Sequence, residues 1–556
     1  MADERMVRVG GSGEHSLTLA DVVAVARHGA KVELATGARD HIHAARAVVE
    51  RIGDEDRTVY GITTGFGHLS RVKIAQDQLA DLQRNLVRSH AAGTGEPFDR
   101  ATVRATMLLL ANSLSRGHSG VRLDVIALLL GMLNAGVTPV IPMRGSVGAS
   151  GDLAPLAHLS LVLIGEGEAM LSGDRLPGAD ALSRANLAPL TLAAKEGLAL
   201  INGTHVMEAM GALAVHDAMV IVRAAEVATA MSLEALLGSF VPLDPRIHGV
   251  RPQHGQSLAA ERLRALLHES EINPSHADCG RVQDPYSLRC APQVLGAVRD
   301  TLAHCRGVFA AELLAVTDNP LIFPASGDVL TGGNFHGQPL ALALDFLAIA
   351  LAQVASFSER RIYYLMGPHD WDTGPSAIPL FLTPEPGLNS GYMIAQYSAA
   401  ALVNEIKVLA HPASIDSIPT SAGMEDFVSM GATSGIKLRE VLELTRRVVA
   451  IELLTAAQGL EFRRPLKPGL GALRAYEVVR ELVPALTADR TPAPDIAALA
   501  EAIATGAFES IVPEADLGQV DQPWQGEHSG SRGTAMPAAS RPPEEPGADR
   551  AGRGRH

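Results

Sequence analysis

The sequence predicts a mainly α fold: a bundle of long central helices preceded by a smaller N-terminal part of mixed α/β character. Of its 556 residues, 47% are hydrophobic but only 4% aromatic. Alanine and leucine dominate, a composition that suits closely packed helices better than sheets. Several stretches of more than 20 residues are apolar on most faces and carry few breakers, as helices buried nearly all round do. On this reading residues 1–204 form the N-terminal part and 205–514 the long-helix bundle. Residues 515–556, rich in Gly, Pro, Ser, Arg and Glu without periodicity, read as a disordered tail.

In chain order, residues 6–10 alternate as a short edge strand, and Thr18 to His28 and Asp40 to Ile52 follow as helices. His41 and His43 are two apart and do not share a helical face, so they make no metal pair. Three glycines in Tyr60-Gly61-Ile62-Thr63-Thr64-Gly65-Phe66-Gly67 make a loop, and loops carry reactive side chains. A tyrosine there is a packed aromatic or, with a depressed pKa, a general base. Gln78 to Ala92 is helical and ends in Ser89-His90; residues 101–115 and 121–135 form two apolar helices. Leu156 to Glu166 is a helix, 167–190 a looser excursion, and 195–204 a buried approach to a polar turn. A long Ala/Met/Leu helix covers His205 to Leu237. Further helices are expected at 257–270, 293–315, 340–366, 391–410 and 430–460, with loops between them.

The formal charge of −14 and the lack of a basic face argue against nucleic acid as a partner. Cys279, Cys290 and Cys305 form neither an even framework nor a C-x-x-C pair, which fits a reducing, cytoplasmic setting. The charged start Met1-Ala2-Asp3-Glu4-Arg5 lacks a signal-peptide core. The longest apolar run, 340–366, is broken by Asp345, Gln353 and Ser358-Glu359-Arg360-Arg361, so a buried helix is expected and not a membrane span.

The most informative stretch is Gly145-Ser146-Val147-Gly148-Ala149-Ser150-Gly151-Asp152-Leu153-Ala154-Pro155. If the Gly151 nitrogen bends onto the Ala149 carbonyl, a five-membered ring can close. Loss of water from the ring and from Ser150 then leaves a methylidene-imidazolone, an electrophile made from the chain. Gly151 has no Cβ to obstruct that approach. Asp152 can handle protons or cap the helix beginning near Pro155. The plainer reading is a glycine-rich turn before a helix, of the kind that binds anions.

Ten pieces from about residue 7 to 465 decide between these readings: YGITTGFG, NLVRSHAAG, GSVGASGDLAPLAH, KEGLALINGT, QDPYSLRC, TDNPL, GNFHGQP, SERR, NSGYMIAQ and MEDFVSM. Together and in this order they resemble the aromatic amino acid ammonia-lyase and aminomutase family. The resemblance implies a fumarase/aspartase-like helical bundle, a carbon–nitrogen lyase, no metal, and a homotetramer with active sites shared between subunits. It makes Ala149, Ser150 and Gly151 the methylidene-imidazolone (MIO) cofactor, with no external cofactor. Tyr60 resembles the base for the β-proton. Asn202 would bond the ring oxygen or the substrate amine, and Arg289 would clamp the carboxylate. Gln283, Tyr286 and Phe335 would line the pocket.

Ser89-His90 and Glu425 resemble the histidine-specific branch, in which they recognise an imidazole. The expected reaction is then deamination of L-histidine to trans-urocanate and ammonia. The chain departs from that branch at Gly423, Met424, Phe427 and Gly337-Gln338. Met424 and Phe427 make the pocket wall more apolar, which keeps tyrosine ammonia-lyase or tyrosine 2,3-aminomutase chemistry open.

Overall fold

The computed structural model describes residues 6–55, 57–64, 74–277, 281–369, 372 and 377–511. The 515–556 tail, Gly65, Phe66, Gly67 and Cys279 lie outside the described residues.

The N-terminal part opens with β1 (Met6–Val9), paired in parallel with β2 (Lys31–Leu34) from Met6 opposite Lys31 to Val9 opposite Leu34. Between them runs α1 (Leu19–His28). It begins at a reciprocal capping box of Thr18 and Asp21 and ends at Gly29, in the left-handed region that a C-terminal glycine tolerates. Then come α2 (Ala38–Asp54), α3 (Leu79–His90), β3 (Thr94–Pro97), α4 (Arg100–Leu114) and α5 (Leu123–Ala135). Strand β4 (Thr138–Pro139) joins a small antiparallel sheet with β6 (Glu168–Leu171) and β7 (Asp174–Pro177), while β5 (Pro142–Arg144) pairs with β3. Helix α6 (Leu153–Leu163) starts three residues before the expected Leu156. Helices α7 (Gly178–Arg184) and α8 (Glu196–Ile201) complete this part.

Helix α9 (His205–Ala235) has 31 residues, about 46 Å at 1.5 Å per residue. It is followed by α10 (Pro245–Gly249), in the stretch read as loop between the 205–237 and 257–270 helices, and by α11 (His254–Leu266) and α12 (Ile272–Ser275). Next are α13 (Tyr286–Arg289), α14 (Ala291–Glu312), the hairpin β8 (Leu321–Phe323) and β9 (Asp328–Leu330), and α15 (Gln338–Leu365, 28 residues). Last come α16 (Met393–Leu409), α17 (Gly431–Glu461, 31 residues), α18 (Leu470–Leu482) and α19 (Ala493–Ala504). Helices α9, α15 and α17 pack along one another, with α11, α14, α16 and α19 around them.

Two large apolar cores result, with two small clusters beside them. One gathers β1, α1, α4, α5, α6 and α8; the other fills the bundle. Val206, Ala209, Met210, Ala212 and Leu213 of α9 belong to the first core, and Met207 and the stretch from Ala214 onward belong to the second. By length and composition α9 and α15 could each cross a membrane. Both instead carry buried charges matched inside the bundle. Glu226 of α9 accepts from Arg262 Nε at 2.7 Å and Arg299 Nη2 at 2.7 Å, and Arg361 of α15 pairs with Glu452 of α17. Ionic partners at those depths suit a protein interior.

Candidate active site

The 145–151 loop is held from both sides. Gly203 N donates to Ser150 O at 3.2 Å, and Asp152 N donates to Gly203 O at 2.8 Å, which sets Gly151 against Gly203. Gly151 has φ +75°, and a Cβ there would lie 2.0 Å from the Gly203 carbonyl oxygen, so only glycine fits. On the other side Met430 N donates to Val147 O at 3.0 Å, and Val147, Ala149, Val428 and Met430 form a small apolar cluster. Gly148, at φ +72°, lies against the Ser429 side chain.

Asp152 corrects an expectation. It makes no side-chain cap on α6. Its Oδ2 accepts from Val206 N and Met207 N, both at 2.9 Å, so it caps α9, and its Oδ1 accepts from Ser146 Oγ at 3.0 Å. Complete burial outweighs these donors and pushes the carboxyl up to about 6. The loop is thus bolted to the start of the longest helices.

Asn202 stands directly beside the loop. Its Nδ2 donates to Asn319 O at 3.1 Å, and its Oδ1 is buried with no hydrogen-bond partner. An amide oxygen so placed is free to accept a hydrogen bond. Tyr60 lies on the neighbouring turn, half-buried against the N-terminal core. That turn is tied by Thr63, whose hydroxyl donates to Arg57 O and accepts from Val59 N. It packs on Leu198 and Pro320 through Gly61.

Ser89 and His90 end α3, beside the loop: Gly93 packs against Pro142 and Gly145. His90 Nδ1 lies 2.9 Å from Leu86 O. The Ser89 hydroxyl lies 3.1 Å from the same nitrogen; a carbonyl only accepts, so Nδ1 donates to Leu86 O, and in the neutral ring Nε2 is the acceptor. Helix α3 is coupled to Asn202 as well, because Gln83 Oε1 accepts from Gly197 N at 2.9 Å at the start of α8.

Glu425 Oε2 accepts from Thr420 Oγ1 at 2.7 Å, in the loop leading to Ser429. Phe335 and His336 precede α15, and Gly337 packs on Met207 and Ser429. His336 and Phe427 are stacked, 6.1 Å between centroids and 11° between planes. Met424 is 64% exposed.

Gln283, Tyr286 and Arg289 are not part of this constellation. Asp284 Oδ2 accepts from Ser239 N at 2.7 Å, just past the far end of α9. Ser287 O accepts from Arg361 Nη1 at 3.4 Å, one turn from the end of α15. Arg361 in turn bonds Glu452, which also accepts from Ser232 Oγ at 2.8 Å. Helices α9, α15 and α17 all start at the 149–151 loop, and the Arg361–Glu452 cluster sits near the other end of each. Within one chain the two groups are therefore roughly 30–40 Å apart. Arg289 stacks over Tyr286 at 4.6 Å, and its Nε is buried without a partner.

The loop also rests on buried polar groups that motif reading did not single out. His205 is buried with both ring nitrogens unpartnered, and burial lowers its pKa to about 4. Glu208 is pushed well up by burial and by the Glu312 and Asp152 carboxylates. Thr204 Oγ1 donates to Glu312 Oε1 at 2.6 Å. The available signal was charge in an otherwise apolar helical run. Among the described residues no group of three or more His, Cys, Asp or Glu could hold a metal ion.

Residues 17–481 match the family model for aromatic amino acid lyases. The chain belongs to the aromatic amino acid lyase family. It is 54% identical over 506 residues to a histidine ammonia-lyase of Gloeobacter violaceus, covering 91% of this chain and 98% of that one. Among solved structures it resembles a histidine ammonia-lyase from Trypanosoma cruzi (TM-score 0.83, 43% identity, 92% and 96% covered). It also resembles a tyrosine aminomutase from Streptomyces globisporus (TM-score 0.85, 38% identity, 91% and 98% covered). Members of this family with different substrates thus share the helical bundle seen here, and the fold alone does not select the substrate.

Proposed function

We propose that this aromatic amino acid lyase is a histidine ammonia-lyase, converting L-histidine to trans-urocanate and ammonia. The observation that carries the reading is the 149–151 loop: glycine-backed, clamped between 202–204 and 428–431, and bonded to Gly203, the neighbour of Asn202, whose Oδ1 is unpartnered. The residues fit an MIO group condensed from Ala149, Ser150 and Gly151, because the close approach to Gly203 leaves no room for a Cβ at 151. When formed, that group supplies an electron sink that makes the substrate amine a better leaving group.

The chain's own residues bind and orient the substrate. Asn202 Oδ1 accepts from the substrate amine. Tyr60 takes the β-proton, as a general base on a turn fixed from both sides. His90 Nε2 accepts from the imidazole N–H, and Glu425, steadied by Thr420, holds the ring's positive charge. Arg289 clamps the carboxylate, with Gln283 and Tyr286 beside it. These three come from a second copy of the chain, since one chain holds them roughly 30–40 Å from Asn202. Exposed apolar side chains on α15 and α16, among them Phe346, Ile349, Ile394 and Tyr397, suit helix-on-helix assembly into a homotetramer. Free Cys290 and Cys305, the latter pushed up to about 12 by burial, suit the reducing cytoplasm.

Met424 and Phe427 flank Glu425 with exposed apolar surface, which favours a phenolic substrate as the second reading. The test is a direct assay of the purified protein on L-histidine and on L-tyrosine. Urocanate and ammonia from histidine, and no coumarate or β-tyrosine from tyrosine, support the proposal; the reverse overturns it.

A further inference from the structure

We infer that the buried Lys195–Asp318 ion pair is a positioning device for the reaction proposed above, setting the amide of Asn202 and the seat of the Tyr60 turn from one point. Lys195 Nζ lies 2.5 Å from Asp318 Oδ2, and the two side chains are 0% and 2% exposed. Lys195 holds φ +77°, a left-handed conformation rare for a side chain with a Cβ, at the residue that opens α8. Helix α8 runs directly into Asn202.

The second Asp318 oxygen turns to its own chain, where Asn319 N donates to Oδ1 at 2.7 Å. That fixes the Asp318–Asn319 peptide and through it aims the carbonyl of the following Asn319–Pro320 peptide, which accepts from Asn202 Nδ2. Because a carbonyl cannot donate, this contact decides which way the Asn202 amide faces. Nδ2 is committed to Asn319, and Oδ1, buried without a partner, is left to accept. Without it the amide can flip and present a donor to a protonated or donating amine. The next residue, Pro320, packs on Gly61, where an added Cβ would lie 3.0 Å from the proline Cδ. Tyr60 is the neighbour of Gly61.

The inference rests on the proposed lyase reading. A buried ion pair is weak evidence for stability and is better attested as a device for conformational specificity. Nonpolar side chains of similar volume would fill the same space without orienting Asn319.

The test uses the full-length protein and the double variant Lys195→Met/Asp318→Leu, which leaves no unpaired buried charge and no acceptor for Asn319 N. Wild-type turnover of L-histidine is measured first, because its absence overturns the lyase reading itself. With turnover present, the variant is expected to melt within a few degrees of wild type and to keep the near-ultraviolet absorbance of the 149–151 group. Its kcat should fall about 100-fold with KM within threefold, the scale of a misplaced reacting group. A kcat within threefold of wild type overturns the inference, as does a loss that only tracks lost folding or lost absorbance. A crystal structure of the variant gives a reading independent of turnover: the Asn202–Asn319 contact kept unchanged also overturns it.

Discussion

Tyr60→Phe and Arg289→Met, each inactive alone, should regain activity when their subunits are mixed. Helices α9 and α17 have 31 residues each and α15 has 28, which makes them about 42–46 Å long at 1.5 Å per residue. Tyr60 and Asn202 stand at the start of these helices and Arg289 near their far end. A pocket containing both halves must draw on two chains. In a one-to-one mixture with random assembly, half the Tyr60 positions and half the Arg289 positions are intact. About a quarter of the pockets then combine two unaltered halves, for a symmetric assembly of identical interfaces. Co-expression of the two variants at equal levels gives that mixture, and urocanate formation reads its activity. About 25% of wild-type turnover per active-site equivalent is expected from that statistic. Tyr60→Phe mixed with Asn202→Ala is the control: a single chain supplies both residues, so no site is restored. Activity no greater than the sum of the separate variants would refute the division of the pocket between chains.

Other substitutions test the remaining parts of the site. Glu425→Gln keeps an acceptor for Thr420 Oγ1 but removes the charge facing the imidazole. Its kcat on histidine should fall roughly 10²–10⁴-fold, the range for lost acid–base function; steady-state rates within threefold of wild type would count against the role. Arg361→Met strands Glu452 in the core and should cost about 3–5 kcal/mol, read as a lower denaturation midpoint; an unchanged midpoint contradicts the pairing. Asp152 gives a pH signature. Burial raises its carboxyl from the ordinary 3.8 to about 6, so between those values the native state binds more protons than the unfolded chain. Stability therefore falls as pH rises through that window, by about 3 kcal/mol from this one group. Asp152→Asn should lack that share of the slope between pH 4 and pH 8, measured by urea unfolding; parallel curves for the two proteins would contradict it.

Much of the architecture is legible in the sequence because its long helices carry their own boundaries. Gly337-Gln338-Pro339 and Gly431 open α15 and α17 close to where the apolar pattern places them. Periodicity fails where elements are short. The β8–β9 hairpin has three residues on each strand, too few to show alternation. Helices α18 and α19 sit in a proline-broken stretch and were not expected. Helix α6 begins at Leu153, ahead of Pro155, since proline suits the first turn.

The reactive loop and its neighbours Tyr60, His90 and Asn202 were legible as motifs. What they rest on was not. Asp152 reaches 54 residues onward to Val206 and 55 to Met207, and Lys195 meets Asp318 across 123 residues. Such contacts exist only once the chain has folded. The placement of Gln283, Tyr286 and Arg289 at the opposite end of the bundle is of the same kind, because it depends on which way three long helices run.

The most direct measurement is the mass of the peptide spanning Ala149–Gly151, cut from natively folded, purified protein. The account predicts a peptide lighter than its sequence by two waters, and the full unmodified mass in Ser150→Ala apart from the substitution itself. An unmodified wild-type peptide would contradict the chemistry proposed for this site.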